Sequence, residues 1–250
     1  MPPIFIAVAA VLALIEIFPP TLSDDTVLDG MLRGIITRAL GSAIFALLAV
    51  RLGRHIFGAP SWRALILLLP ALLVVINNFP IIGLISGAAG LDSPPHYILI
   101  YALSSLLIGL FEELAFRGVF YMLMLEPHRA TSRSVFWVSA LSSALFGAIH
   151  LVNLFAGAGV GATILQVGYS FLIGGMCSIA LLVSGSIWVP VVLHALFDFG
   201  GYLVPTLGYG VVWDTATVIL TAVLGVAVTV YMILLLIHRG NDCADRLFAE

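Results

Sequence analysis

The chain has 250 residues, of which 62% are hydrophobic and 9% charged, with 13 acidic and 10 basic side chains. Its mean hydropathy is +1.18. An average soluble domain has about a quarter of its residues charged, so this chain has too few polar groups to cover a water-facing surface. The composition indicates an integral membrane protein. Its net charge of -3 gives no sign of the clustered cations that nucleic-acid binding needs, and we expect no nucleic-acid partner.

Apolar segments long enough to cross a bilayer recur along the chain. A spanning helix needs about 20 mostly apolar residues. By that measure the sequence predicts eight helices, at roughly 3–18, 33–50, 64–80, 97–125, 134–153, 161–183, 187–204 and 215–237. The predicted fold class is all-α, a polytopic membrane helical bundle of about eight transmembrane helices. We divide this continuous membrane domain into N-terminal helices at 1–96, a core at 97–204, and a last helix with a cytoplasmic tail at 205–250.

The distribution of arginines predicts the orientation of the chain, which contains no lysine. Positively charged residues concentrate in cytoplasmic loops. One side of the eight-helix arrangement carries Arg51, Arg54, Arg63, Arg129, Arg133, Arg239 and Arg246. The loops of the other side carry Asp24, Asp25, Asp29, Asp92 and Asp214, and Arg33 and Arg38 are exceptions to the pattern. We therefore expect a multi-pass protein of the cell membrane with both termini in the cytoplasm.

Small residues are frequent in the later helices and predict close helix packing. Gly157 and Gly161 have GxxxG spacing, and Gly168, Gly174 and Gly175 follow. Glycines allow helix backbones to approach closely in lipid, so we expect packing contacts at these positions.

Ionisable side chains inside the apolar segments are few and clustered. Because a charge within the bilayer is costly, such a residue marks a candidate functional site. Three predicted helices carry them: Glu112, Glu113 and Arg117 lie in the fourth, His150 in the fifth, and His194 and Asp198 in the seventh. Glu16 and Arg38 also have apolar surroundings, but they lie near helix ends where side chains reach the interface, and we expect structural roles for both.

Helical spacing separates the members of the first cluster. Residues four apart share a helix face, whereas adjacent residues point about 100° apart. Glu113 and Arg117 are therefore expected to form an ion pair, while Glu112 points elsewhere without a partner in its own helix. That isolation suits a residue that accepts and releases a proton. Phe146 precedes His150 by four residues, which predicts that its ring packs beside the imidazole.

Hydrolysis of a peptide bond is a reaction that this set of side chains can carry out. The reaction needs a base for the water and hydrogen-bond donors for the oxyanion. A glutamate with a histidine supplies the first, and a histidine with a neighbouring side chain supplies the second. The same groups also suit zinc, for which the candidate ligands are Glu112, His150, His194 and Asp198. No HExxH motif is present, and the two mechanisms both remain open on the sequence.

Three motifs in this order resemble those of the CPBP family of intramembrane proteases. Glu112–Arg117 reads EExxxR, Phe146–His150 reads FxxxH, and His194–Asp198 reads HxxxD; Gly118 follows the first motif and Trp188-Val-Pro190 precedes the last. The family, also called Abi, groups CAAX proteases, including the type II CAAX prenyl endopeptidases, with bacteriocin-processing proteins. The resemblance covers roughly residues 97–201. It implies an all-helical fold whose membrane-buried cavity is reached from the cytoplasmic side.

The resemblance also implies a role for each motif residue. Glu112 and His150 would activate the water, Glu113 and Arg117 would support their helix, and His194 with the residue at 198 would stabilise the oxyanion. The last position is often Asn in the family and is Asp198 here. An ionised Asp cannot donate a hydrogen bond, so Asp198 must be protonated, orient His194, or ligate a metal.

The sequence thus predicts an intramembrane endopeptidase that cleaves a peptide or a membrane-anchored protein at the lipid bilayer. Two alternatives are a non-catalytic bacteriocin-immunity or scaffold protein and a proton-coupled transporter. Zinc is the one cofactor that the residues suggest. The oligomeric state is not readable from the chain.

Overall fold

The fold is an all-α polytopic bundle, as predicted. The computed structural model describes residues 20–53, 55–212 and 215–248. Within these ranges seven spans are long and apolar enough to cross a membrane: Thr26–Arg51, Leu69–Ser86, Tyr97–His128, Ser132–Leu154, Val160–Ser184, Trp188–Leu207 and Thr217–Leu247. They correspond to seven of the eight predicted segments. The predicted helix at 3–18, with Glu16, lies outside the described residues, as do Arg54 and Asp214.

The part of the chain before residue 97 forms four helices and a short strand. These are α1 (Thr26–Arg51), α2 (Trp62–Leu67), α3 (Leu69–Asn77), α4 (Ile81–Ser86) and β1 (Ala89–Leu91). The continuous helix predicted at 64–80 is wrong, because Pro70 and Pro80 lack the N–H that a helix interior requires. The segment is therefore divided into short helices.

The side chain of Asp25 caps the start of α1. Its Oδ1 atom accepts hydrogen bonds from the backbone N–H groups of Val27 and Leu28, both at 2.9 Å. An N-cap of this kind satisfies donors that the first turn leaves unpaired. These N–H groups, foremost that of Leu28, hold the pKa of the exposed Asp25 carboxyl below its ordinary value.

The middle of the chain contains two breaks in regular α-helix that the sequence did not predict. Its elements are α5 (Tyr97–Glu113), a π-helix (Leu114–Tyr121), α6 (Met122–Leu125), a short 3-10 turn (Glu126–His128), α7 (Ser132–Ile149) and a 3-10 segment (His150–Leu154). The π-helix interrupts the helix predicted at 97–125 between Leu114 and Tyr121. Apolar periodicity does not distinguish i→i+4 from i→i+5 bonding, which is why the sequence missed it. π-Helical turns are frequently found at functional sites.

The last part of the chain completes the bundle with α8 (Val160–Ser184), α9 (Trp188–Leu207), β2 (Gly208–Gly210) and α10 (Thr215–Leu247). Strands β1 and β2 pair antiparallel, with Ala89 opposite Gly210. This two-stranded sheet joins the loop before α5 to the end of α9. It lies at the end of the bundle where α1 begins.

Close approaches at two glycines hold the helices that carry the motifs against their neighbours. A Cβ atom at Gly109 would lie 2.9 Å from the backbone nitrogen of Ala195, so α5 and α9 pack backbone to backbone. A Cβ atom at Gly147 would lie 2.8 Å from the carbonyl oxygen of Val167, so α7 and α8 do the same. Two motif helices, α5 and α9, are therefore held at a short separation, and so are α7 and α8, as expected for helices packed in lipid.

Of the five glycines expected to make packing contacts, two make them and three do not. Gly174 and Gly175 contact Ser143 of α7. A Cβ atom at Gly161 or Gly168 would meet open space. Gly157 precedes α8 and has a φ of +88°, so it serves a turn that favours glycine rather than a helix contact.

Candidate active site

The carboxylate of Glu113 is the centre of a buried ionic cluster. Its Oε1 atom accepts hydrogen bonds from Arg117 Nη1 at 2.9 Å and from His194 Nδ1 at 2.6 Å. The side chains of Glu113 and Arg117 are fully buried, and that of His194 is 5% exposed. We call Glu113, Arg117 and His194 the dry cluster. Sequence reasoning expected the Glu113–Arg117 pair but missed its link to His194, because the two helices meet only in the tertiary structure.

The ring of Phe146 joins the dry cluster to the second motif. The Arg117 guanidinium lies 4.3 Å above the centre of this ring. The same ring packs edge-on against the imidazoles of His194 and His150, at centroid distances of 5.7 and 5.3 Å. Phe146 therefore contacts a member of each motif and fixes their spacing. A Cβ atom at Gly174 would lie 2.9 Å from Arg117 Nη2, so only glycine leaves room for the guanidinium there.

Glu112 lies on the other side of the same helix and faces a cavity. The cavity has a volume of about 690 Å³, and Glu112, His150, His194 and Asp198 all line it. The Glu112 side chain is 22% exposed and that of Asp198 16% exposed. Glu112 thus faces the cavity while Glu113 faces the sealed interior, because neighbouring residues of a helix point about 100° apart.

His194 connects the cavity to the dry cluster through its two ring nitrogens. Nδ1 contacts Glu113, which leaves Nε2 facing Glu112 Oε2 at 3.7 Å and Asp198 Oδ2 at 3.6 Å. These two distances are longer than direct hydrogen bonds, and a separation of this size suits a bridging water or a reacting group. Glu113 therefore orients the ring, and Nε2 is the atom presented to the cavity.

His150 is oriented in a similar way by the backbone. Its Nδ1 atom lies 2.9 Å from the carbonyl oxygen of Phe146. A carbonyl oxygen only accepts, so Nδ1 carries the proton and the lone pair of the neutral ring is on Nε2. His150 was predicted inside a helix, but it is the first residue of the 3-10 segment that follows α7. The end of the α-helix thus presents the ring at the cavity wall.

Several other polar residues of the cavity were missed by sequence reasoning. Asn153 Nδ2 donates to Gln166 Oε1 at 2.8 Å, and both amides line the cavity. The hydroxyls of Tyr169 and Tyr202 form a hydrogen bond that joins α8 to α9. Asn153 is three residues after His150, and residues three apart share a side of a 3-10 helix. That spacing was the only signal in the sequence, because neutral amides and phenols do not stand out in apolar segments as charges do.

Arg38 was expected near a helix end, where its side chain would reach the membrane interface, but the structure places it elsewhere. It lies in the fourth turn of α1 and lines the cavity. Its Nη1 atom donates to Thr37 Oγ1 at 3.0 Å.

The ligand atoms of the four residues predicted to hold zinc do not form one close group. Within residues 20–53, 55–212 and 215–248, the group of three ligand types within 4.8 Å of one another is Glu113, Cys177 and His194. In this group Glu113 and His194 hydrogen-bond to each other, and Arg117 places a cation at 2.9 Å. A buried guanidinium opposes the binding of a second cation at the same carboxylate. This group of three therefore does not suit a metal ion, and zinc at the four predicted residues stays a prediction.

The fold and the site define a polytopic membrane protein with ionisable groups inside its helical bundle. Residues 94–200, less than half of the chain, match the family model described as type II CAAX prenyl endopeptidase Rce1-like. The match confirms the family resemblance carried by the three motifs. It supports an intramembrane protease of the CAAX class in general.

No curated protein matches the chain, and no solved structure matches it.

Proposed function

We propose that this protein is an intramembrane endopeptidase that hydrolyses a peptide bond with a water activated by Glu112 and His150. The observation that carries the proposal is the shared cavity: Glu112, His150, His194 and Asp198 line it, while Glu113 and Arg117 are sealed behind it. A carboxylate and an imidazole that share a water-accessible space can activate water. The amides of Asn153 and Gln166 on the same wall suit the backbone of a bound peptide.

Each step of the reaction has a residue on the cavity wall. The Glu112 carboxylate takes a proton from water, with His150 Nε2 as a second acceptor for that water. The resulting hydroxide attacks the peptide carbonyl carbon and forms a tetrahedral oxyanion. When His194 carries a proton on Nε2, this atom donates to the oxyanion, and protonated Asp198 is a second donor. Glu112 then gives its proton to the leaving nitrogen, the C–N bond breaks, and a carboxylic acid and an amine result.

The substrate class that suits this chemistry is a peptide, or the extended segment of a membrane-anchored protein. Burial of the site within the spans limits the substrates to segments that enter the bilayer region. The proposed mechanism uses no metal; what supports this choice is that, among the described residues, the ligand types whose donor atoms lie within 4.8 Å of one another are Glu113, Cys177 and His194, beside the Arg117 guanidinium.

The Glu112→Gln variant tests the proposal. We expect it to insert and purify like the wild type but to lose cleavage of a quenched fluorescent peptide library by about 10²–10⁴-fold, the range of a general base. Glu126→Gln is the matched control, because Glu126 is an exposed glutamate outside the cavity. Cleavage by Glu112→Gln at the wild-type rate would favour a non-catalytic role.

The same assay with and without EDTA tests the proposed mechanism separately. We expect the purified protein to retain its cleavage rate in EDTA and to contain no stoichiometric zinc. Loss of cleavage in EDTA with recovery on adding zinc would contradict the metal-independent mechanism and leave the peptidase activity itself intact.

A further inference from the structure

The two amides of the cavity wall come from consecutive elements of the chain. Asn153 belongs to the 3-10 segment that begins at His150, and Gln166 lies in the second turn of α8. Asn153 Nδ2 donates to Gln166 Oε1 at 2.8 Å, and both side chains line the active-site cavity. This hydrogen bond therefore joins the segment that carries His150 to the helix that follows it.

The 3-10 segment turns its polar side chains toward the cavity. Residues three apart in a 3-10 helix lie one above the other, so Asn153 shares a side with His150. Both are half-buried at the cavity, whereas Leu151, Val152 and Leu154 are exposed. An amide is thus aligned with the imidazole that is proposed to act on the water.

Backbone hydrogen bonds hold Asn153 on a closed turn. Its carbonyl oxygen accepts from the N–H groups of Ala156 at 3.1 Å and Ala158 at 3.0 Å. Gly157, between these two, has a φ of +88°, a conformation that favours glycine and closes the turn before α8. A side chain on such a turn loses less freedom when it binds a ligand, so its position relative to His150 is set before a substrate arrives.

The amide pair leaves one acceptor and one donor for a ligand. Among the described residues, neither Asn153 Oδ1 nor Gln166 Nε2 has a hydrogen-bond partner. An amide oxygen accepts and an amide NH2 group donates. One residue of an extended peptide offers the complement, an N–H donor and a C=O acceptor on the same side of the strand. In an α-helix the same groups are bonded within the helix.

We propose that Asn153 and Gln166 form a clamp for the backbone of one extended residue of the substrate. Asn153 Oδ1 accepts from the N–H of that residue, and Gln166 Nε2 donates to its carbonyl oxygen. The inference rests on the proposed function and narrows its substrate class to segments with unpaired backbone groups. Extended tails and linkers meet this condition, and an intact transmembrane helix does not. Because the clamp is uncharged and contacts backbone, it tolerates many side chains at the clamped residue.

The spacing along the 3-10 segment places the clamp close to the bond that is cleaved. Asn153 lies three residues from His150, which is about 6 Å at about 2.0 Å rise per residue. An extended peptide spans about 3.3 Å per residue. The clamped residue is therefore about two residues from the bond that the water attacks, and the clamp holds the chain beside that bond.

Ester substitution in the ligand tests the clamp without using catalysis. The probe is the member of the fluorescent peptide library that binds most tightly to the Glu112→Gln protein in detergent, measured by anisotropy. Each of its peptide N–H groups is replaced in turn by an ester oxygen, which does not donate. We expect one ester analogue to bind about tenfold more weakly than the parent peptide, as expected for the loss of one hydrogen bond.

Adding Asn153→Ala to the Glu112→Gln protein should remove this preference. We expect the parent peptide and the ester analogue then to bind within about twofold of each other, because the acceptor for the N–H is gone. An unchanged preference in the Asn153→Ala protein, or equal binding of every ester analogue to Glu112→Gln, would overturn the proposal. If Asn153→Ala does not fold, Asn153→Ser is measured in its place, because its hydroxyl bonds to the backbone of turns but is too short for the clamp.

Asn241→Ala in the same background is the matched control. Asn241 Oδ1 also makes a side-chain hydrogen bond of 2.8 Å between two helices, with Ser132, but it lies outside the cavity. We expect this variant to keep the full preference for the parent peptide. A purely structural role of Asn153 would weaken the binding of peptide and ester alike and leave their ratio unchanged.

A helical analogue of the probe tests the preference for an extended chain. The same peptide, constrained as an α-helix by a side-chain staple, should bind Glu112→Gln at least about tenfold more weakly than the parent. Equal binding of the two would contradict the narrowed substrate class. A wild type that cleaves no peptide while the ester preference persists would overturn the proposed function alone. Cleavage without any ester preference would overturn the clamp alone, and no binding by any library peptide would overturn both.

Discussion

Glu112 and Glu113 are neighbours in the chain, yet they occupy two different environments. The carboxylate of Glu113 is fully buried and contacts two partners, Arg117 and His194, whereas Glu112 lines a cavity with His150 and Asp198. We call the second group the cavity wall. The dry cluster resembles a buried ion pair with an added histidine, and its paired groups are suited to holding geometry. The cavity wall has ionisable groups facing a space of about 690 Å³, which suits proton transfer.

The comparison separates two kinds of loss on mutation. A change in the cavity wall should reduce cleavage while the protein remains folded. A change in the dry cluster should first reduce stability, because it leaves a buried charge without its partner.

The largest effect is expected for His150→Ala, which removes the second acceptor for the catalytic water. We expect the cleavage rate to fall by about 10²–10⁴-fold with the thermal unfolding temperature nearly unchanged. His128→Ala is a matched control, because His128 Nδ1 also lies 2.9 Å from a backbone carbonyl, that of Met124, but outside the cavity. Equal rates for the two variants would show that His150 is not required for cleavage.

Arg117→Ala should lower the stability of the protein, in contrast to substitutions in the cavity wall. It leaves the Glu113 carboxylate buried without its cation, and removing one partner of a buried pair costs about 3–5 kcal/mol. We expect a large loss of folded protein in detergent, measured by chemical unfolding. The double variant Glu113→Gln/Arg117→Met removes both charges and should recover much of the stability. If it is as unstable as Arg117→Ala, the ion pair does not explain the defect.

Gly174→Ala should perturb the dry cluster by packing alone. The added Cβ would lie 2.9 Å from Arg117 Nη2, 3.1 Å from Phe146 Cδ1 and 3.3 Å from Ser143 Cα. Overpacking of this kind costs about 1–3 kcal/mol. Gly168→Ala, on the same helix with open space around its Cβ, should instead be neutral or stabilising by about 0.5–1 kcal/mol. Similar unfolding free energies for the two variants would contradict the tight packing at Gly174.

Asp198→Asn should have the smallest effect on the cavity wall. The amide keeps an oxygen acceptor and adds N–H donors, so an oxyanion role is preserved. We expect kcat/KM to stay within about tenfold of the wild type, a change of about 1.4 kcal/mol in the activation free energy. Asp242→Asn, an exposed substitution in the tail of α10, controls for the loss of one negative charge. A complete loss of cleavage would show that the negative charge of Asp198 is required.

The membrane fold and the motif residues could be predicted from the sequence. Long apolar segments have few alternatives to a spanning helix, and a charge inside one is conspicuous because it is costly. Helical spacing also predicted the contact between Glu113 and Arg117, which depends only on one helix. The family match over residues 94–200 supports the motif-based part of this reasoning. The division at 1–96, 97–204 and 205–250 and the position of the termini stay predictions.

Tertiary structure alone decided which groups meet and which face water. The bond from His194 to Glu113 joins residues 81 positions apart, and no local period predicts it. The prolines at 70 and 80, the π-helix after Glu113 and the end of α7 at Ile149 altered three predicted helices. The sequence determined that ionisable groups lie inside apolar segments, because the order of residues along the chain already shows this. Packing decided which of these groups are paired and which face the cavity, because residues on different helices meet only in the folded protein.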